Sequence, residues 1–102
     1  MRGEDRKEIK MKYYVYILTN FKKTVLYIGF SGNLTERVRQ HKASEVAGFT
    51  KKYKTDMLIY YEEFSDVNVA KARERAMKKW NRAWKEELIN KANPNWDEVI
   101  IL

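Results

Sequence analysis

The chain has 102 residues, of which 44% are hydrophobic and 34% charged, with a formal net charge of +7. That is length for one domain, with enough apolar material for a core and too much for a disordered segment. Cysteine is absent and His41 is the single histidine, which excludes a disulfide framework, a thiolate metal site and a poly-histidine zinc centre.

Residues 1–10 are charged and lack hydrophobic periodicity, and read as a flexible leader, with Met11 a candidate alternative start and 11–102 one folded domain. There is no apolar signal region and no apolar run near the length of a membrane span, so the expectation is a soluble, cytoplasmic protein without membrane contact. Tyr13 to Thr19 is rich in aromatic and β-branched residues, as a buried strand is. Asn20 to Thr24 suits a hairpin loop, and Val25 to Phe30 reads as the returning strand. Symmetric pairing around that loop predicts Tyr16 beside Tyr27, within one residue of register.

Ser31-Gly32-Asn33 breaks the strand, and Asn33 with Glu36 three positions on is a helix-start signature. The helix is expected from Leu34 to about Ala43, followed by a loop carrying Gly48 to Tyr53. Met57 to Phe64 reads as a third strand. Ser65-Asp66 caps a second helix, whose apolar stripe is expected at Val69, the stem of Arg73, Ala76, Trp80 and Trp84. Asn81 is a candidate division into two helices, Asn93-Pro94 ends the last one, and the apolar tail from Trp96 should return to the core. The order is β-β-α-β-α-α, an α+β (mixed α/β) fold with a small sheet flanked by helices.

Charge is concentrated. Lys71, Arg73, Arg75, Lys78, Lys79, Arg82 and Lys85 face one acid, Glu74, within residues 71–85, a local field suited to a polyanion. For a charge run alone a solvated helix face is the slightly simpler account, and an anionic membrane surface is a third reading that Glu74 in its middle disfavours. Strand tyrosines are usually packing residues with a wet hydroxyl, a histidine at a helix C-terminus is accounted for by the macrodipole, and an acid among arginines by a surface ion pair. With no sulfur ligand available, any divalent ion would be held mainly by oxygen, as magnesium or manganese is.

The ordered set is more informative than its members. Tyr14-Val15-Tyr16 is followed by Tyr27-Ile28-Gly29, then by Arg37 and His41 four apart on one helix face, then by Arg73-Glu74. Gly29 permits close approach of another element or a ligand. At these residues, and in Gly48-Phe49-Thr50-Lys51-Lys52-Tyr53 and Lys78-Lys79-Trp80-Asn81-Arg82-Ala83-Trp84, the sequence resembles the GIY-YIG nuclease superfamily. It is most similar to small stand-alone bacterial members, which are related to the N-terminal domain of an excision-repair nuclease. The resemblance implies a three-stranded antiparallel sheet and a metal-dependent endonuclease acting on nucleic acid. Its implied parts are one Mg2+ or Mn2+ ion on Glu74, Arg37 on the phosphate, Tyr16 and Tyr27 at the attacking water, and His41 as a proton relay. DNA chosen by structure is the expected substrate, with DNA repair one setting for such an activity. The first motif departs from the family in carrying Tyr14 where a glycine is usual, and a late asparagine near the metal matches Asn93 or Asn90.

Lys22, Lys23, Arg39, Lys51, Lys52, Lys78, Lys79 and Arg82 are the expected phosphate-binding residues. Trp80 and Trp84 suit core packing better than base stacking, given their helical spacing. No separate DNA-binding domain of the kind larger relatives carry is expected within this length, so a protein partner for targeting is a further expectation. The alternatives are a non-catalytic nucleic-acid-binding module of the same fold, and an interaction subunit whose basic helix docks an acidic partner.

Overall fold

The computed structural model describes residues 11–101; the expected leader, 1–10, lies outside them. Three antiparallel strands, β1 (Tyr13–Thr19), β2 (Leu26–Ser31) and β3 (Met57–Phe64), form one sheet in the order β2-β1-β3. The central strand is buried from Val15 to Thr19, which is why it reads as a continuous apolar run rather than an alternating one.

The helices are α1 (Leu34–Lys42), α2 (Phe49–Tyr53), α3 (Val67–Lys79) and α4 (Arg82–Ala92). Asn33 caps α1 by accepting from the Glu36 amide, while Glu36 turns its carboxylate to Arg39 instead of completing a capping box. Asp66 caps α3, and Asn81 caps α4 by accepting from the Trp84 amide, so the division at Asn81 is real. The expected loop at 49–53 holds one short helix. It starts at Gly48, whose φ of +89° favours glycine, and ends at Lys54 in the left-handed region.

The sheet separates two apolar clusters. On one face Val15, Ile17, Ile28 and Ile59 meet Ala70 and Met77 of α3 and Ile89 of α4. On the other, Tyr16, Leu18 and Leu58 meet Leu34 of α1, with Val38, Val99 and Ile101 packed against them. The tail therefore returns to the core, and the Val99 amide donates to the Leu58 carbonyl. Burying one such aliphatic side chain is worth about 1.5–3 kcal/mol.

Two expectations are corrected. The hairpin pairs Thr19 with Leu26 and Tyr16 with Gly29, two residues away from a Tyr16–Tyr27 pairing. Asn20 causes the slip: its Oδ1 accepts from the Thr24 and Val25 amides, and so enlarges the loop. The stripe of α3 is also shifted, to Ala70, Arg73, Met77 and Trp80, leaving Val69 53% exposed. Trp80 leaves helical geometry at ψ 149°, so α4 starts on a new axis and Trp84 is 57% exposed rather than in the core.

Arg73 fixes α3 to the sheet. Its Nε and Nη2 donate to the two Glu62 oxygens, both at 2.8 Å, and its guanidinium lies 5.0 Å from the Trp80 ring centroid. A part-buried, bidentate pair of this type contributes of order 1.5–3 kcal/mol. Glu74, next in sequence, is thereby held at a set height against the sheet.

Candidate active site

Gly29 decides where Tyr16 goes. A Cβ at Gly29 would lie 2.7 Å from Cε1 of Tyr16 and closer still to its Cζ and Oη, so the tyrosine ring lies across the glycine of the neighbouring strand. The ring is thereby aimed diagonally at Tyr27, with centroids 6.4 Å apart. The register slip that moved Tyr27 away from direct pairing thus gives the diagonal relation that brings the two phenols onto one face.

His41 closes this group from α1. Its Nε2 lies 3.3 Å from the Tyr16 hydroxyl, its Nδ1 lies 3.1 Å from Thr50 Oγ1, and its ring centroid is 5.8 Å from that of Tyr27. Both His41 and Thr50 are buried. Burial first, and the Arg37 charge second, hold the imidazole below its ordinary value of 6.5, although Asp56 opposes them. His41 is therefore neutral near pH 7, and the macrodipole is not what explains it. Between its folded value and 6.5 the unfolded chain takes up a proton that the folded chain refuses. Stability should accordingly fall as pH drops through that window, and urea unfolding of His41→Gln should show a flatter pH dependence there.

Burial, reinforced by the Tyr27 phenol, pushes Tyr16 up to about 12. The Arg37 guanidinium pulls it down and the Glu74 carboxylate pushes it up again. Both charges therefore act on the Tyr16 oxygen, one from α1 and the other from α3. Glu74 falls between Ala70 and Met77 on the sheet-facing stripe of α3, and its side chain is only 19% exposed. A carboxylate on the buried stripe of a helix is expensive unless it is paired. Its partner is Lys78 at 3.2 Å, whose own side chain is 52% exposed.

Other expected residues are placed differently. Arg39 is occupied by Glu36 and Glu45. Arg82 pairs with Glu86 and donates to the Thr24 and Lys23 carbonyls, which ties α4 to the hairpin loop. Lys23 reaches the Asn95 carbonyl. Lys51 and Lys52 are exposed on α2, Lys79 is exposed at the end of α3, and Lys22 is exposed in the hairpin loop. Asn93 donates to the Ile59 and Asp97 carbonyls and accepts from the Asp97 amide, while Asn90 accepts from Trp96 Nε1. Those contacts give both asparagines a structural task at the chain's end. Thr50 is the participant that the sequence does not reveal, because a threonine beside two lysines carries no sign that it is buried against a histidine.

Among the described residues no cluster of three His, Asp or Glu side chains is placed to hold a metal. A closed all-protein cage is thus absent there. The single half-buried Glu74 does fit a hydrated magnesium ion, which commonly takes one or two carboxylates and completes its shell with water and phosphate oxygens.

A model of the GIY-YIG catalytic domain matches residues 12–87. The chain belongs to the GIY-YIG family. Membership places it in a family of nucleases. Among relatives, a UPF0213 protein of Natronomonas pharaonis is 36% identical over 77 residues, covering 76% of this chain and 89% of that protein. A UPF0213 protein of Staphylococcus haemolyticus is 36% identical over 78 residues, covering 76% and 94%. The solution structure of a UPF0213 protein of Bacillus halodurans matches with a TM-score of 0.56 at 24% identity, over 84% of this chain and 90% of that one. That likeness shows that the two chains share a fold. Within the described residues, no helix is long and apolar enough to cross a membrane.

Proposed function

We propose that the protein is a metal-dependent endonuclease that hydrolyses phosphodiester bonds, with structured DNA as its substrate. The observation that carries this reading is the gathering of Tyr27 of β2 and His41 of α1 around the Tyr16 phenol of β1, within reach of the charges of Arg37 on α1 and Glu74 on α3. A pure binding surface has no need of a buried phenol, a neutral imidazole and a half-buried carboxylate in one place.

Glu74 would hold one magnesium or manganese ion, which supplies charge neutralisation and polarisation of the scissile phosphate. Arg37, whose charge reaches the Tyr16 phenol, would bind the negative charge that grows on the phosphate oxygens. In the His41 tautomer protonated on Nδ1, the Tyr16 hydroxyl donates to Nε2 across 3.3 Å and Nδ1–H donates to Thr50 Oγ1 across 3.1 Å. Tyr16 is fully buried here, so once substrate binding opens a path to its oxygen, attacking water can give that oxygen its proton as Tyr16 passes its own to Nε2. This concerted route never needs a free phenolate, which a value of about 12 makes costly near neutral pH. Tyr27, less buried than Tyr16, presents a second phenol beside the same water.

Substrate class is tested by cleavage of labelled single-stranded, duplex, flapped and branched DNA and one RNA, with magnesium, manganese or chelator. Metal-dependent products concentrated on flapped or branched DNA are expected. Salt-sensitive binding to every substrate without products in any metal would instead establish the non-catalytic module.

A further inference from the structure

The row of aromatic rings does not stop at the two tyrosines. Phe49 stacks on Tyr27, with centroids 6.0 Å apart and planes 27° apart, and Tyr53 follows at 4.8 Å from Phe49. Tyr16 is fully buried, whereas Phe49 is 45% and Tyr53 44% exposed, so the row runs from the core to solvent. The anchor of α2 is Thr50, held against His41, and anchoring through that small residue leaves the two large rings outside. Two exposed, touching aromatic rings forgo burial that a structural role would have used.

A cavity of about 280 Å³ opens beside them, lined by Leu26, Tyr27, Ile28, Phe49, Lys78 and Lys85. It falls just below the ~300–1,000 Å³ range of ligand sites, room for one flat ring system rather than an extended ligand. Its walls are apolar and aromatic, with Lys78 and Lys85 at its margin, while α2 carries no acid and the Lys52 ammonium lies 5.4 Å from the Tyr53 ring centroid.

We propose that Phe49 and Tyr53 form a stacking platform for an unpaired nucleotide adjoining the bond to be cut, with its base against Phe49 in this cavity and its phosphates facing Lys78 and Lys85. The inference rests on the nuclease reading above and adds to it the feature that selects the substrate. Bases inside a duplex have both faces covered by their neighbours, so a stacking platform favours DNA with an unpaired strand. The lysines contact phosphate in any DNA and do not discriminate.

The test is fluorescence anisotropy in chelator, where cleavage cannot interfere, with a labelled single-stranded flap and a continuous duplex of the same length. The intact protein should bind the flap more tightly than the duplex. Phe49→Ala should weaken flap binding about ten-fold and leave duplex binding unchanged. Phe49→Tyr should restore the preference, and Phe49→Leu, with similar bulk and no aromatic face, should not. Tyr53→Ala gives an independent reading, with the same selective loss expected should Phe49→Ala fold poorly. Equal flap affinity in parent, Phe49→Ala and Tyr53→Ala would overturn the platform and leave the nuclease reading standing, as would a loss shared equally by flap and duplex. Failure of the parent protein to bind either DNA would overturn both.

Discussion

Replacing Glu74 with glutamine is expected to lower metal-dependent cleavage by at least about 10²-fold, the scale for removing one group that stabilises a transition state. Glutamine keeps the shape of the side chain on the sheet-facing stripe between Ala70 and Met77, so the packing of α3 should survive. The loss of one negative charge beside Lys78 should leave nucleic-acid binding equal or tighter, since that lysine is freed for phosphate. Single-turnover cleavage, anisotropy and urea unfolding on the same preparation separate the three effects. Cleavage at the parent rate in Glu74→Gln would remove Glu74 from the chemistry.

Gly29→Ala should harm activity more than stability. The new Cβ collides with the Tyr16 ring, and Tyr16 is fully buried between Tyr27 and His41 with no free direction in which to retreat. Overpacking of this kind costs about 1–3 kcal/mol. The displaced hydroxyl also loses its 3.3 Å approach to His41 Nε2, and a misplacement of about 1 Å in a reacting group costs on the order of 10²-fold in rate. Unfolding by urea should show the modest loss of stability, and single-turnover cleavage the larger loss of rate. An alanine variant that cuts at the parent rate would mean that the position of the Tyr16 ring is immaterial.

Much of this arrangement is legible in the sequence because it depends on local signals. Asn33, Asp66 and Asn81 each precede a helix and each caps one, and the aromatic and β-branched run of β1 is buried on both faces as its composition suggests. Of the residues that the family resemblance singles out, Tyr16 and Tyr27 lie with ring centroids 6.4 Å apart, and the charges of Arg37 and Glu74 both reach the Tyr16 phenol.

What the sequence conceals is set by tertiary geometry. The hairpin register depends on how Asn20 satisfies two loop amides, which symmetric pairing cannot anticipate. Spacings of three and four fit two stripes on α3. The bulk of Val69 favours the wrong one, because the residue in contact with the sheet is the small Ala70. The correct stripe is also what turns Glu74 inward, so the same shift that misplaces Val69 hides the burial of the carboxylate. Arg39 and Arg82 carry charge in the sequence, but Glu36, Glu45 and Glu86 occupy them in the fold.

The most direct test of the central claim is cleavage of a labelled flapped DNA by the unmodified protein as magnesium is titrated from excess chelator upward. The site described predicts no product in chelator and a rate that rises and saturates as one ion binds. Cleavage that persists at full rate in chelator would contradict it.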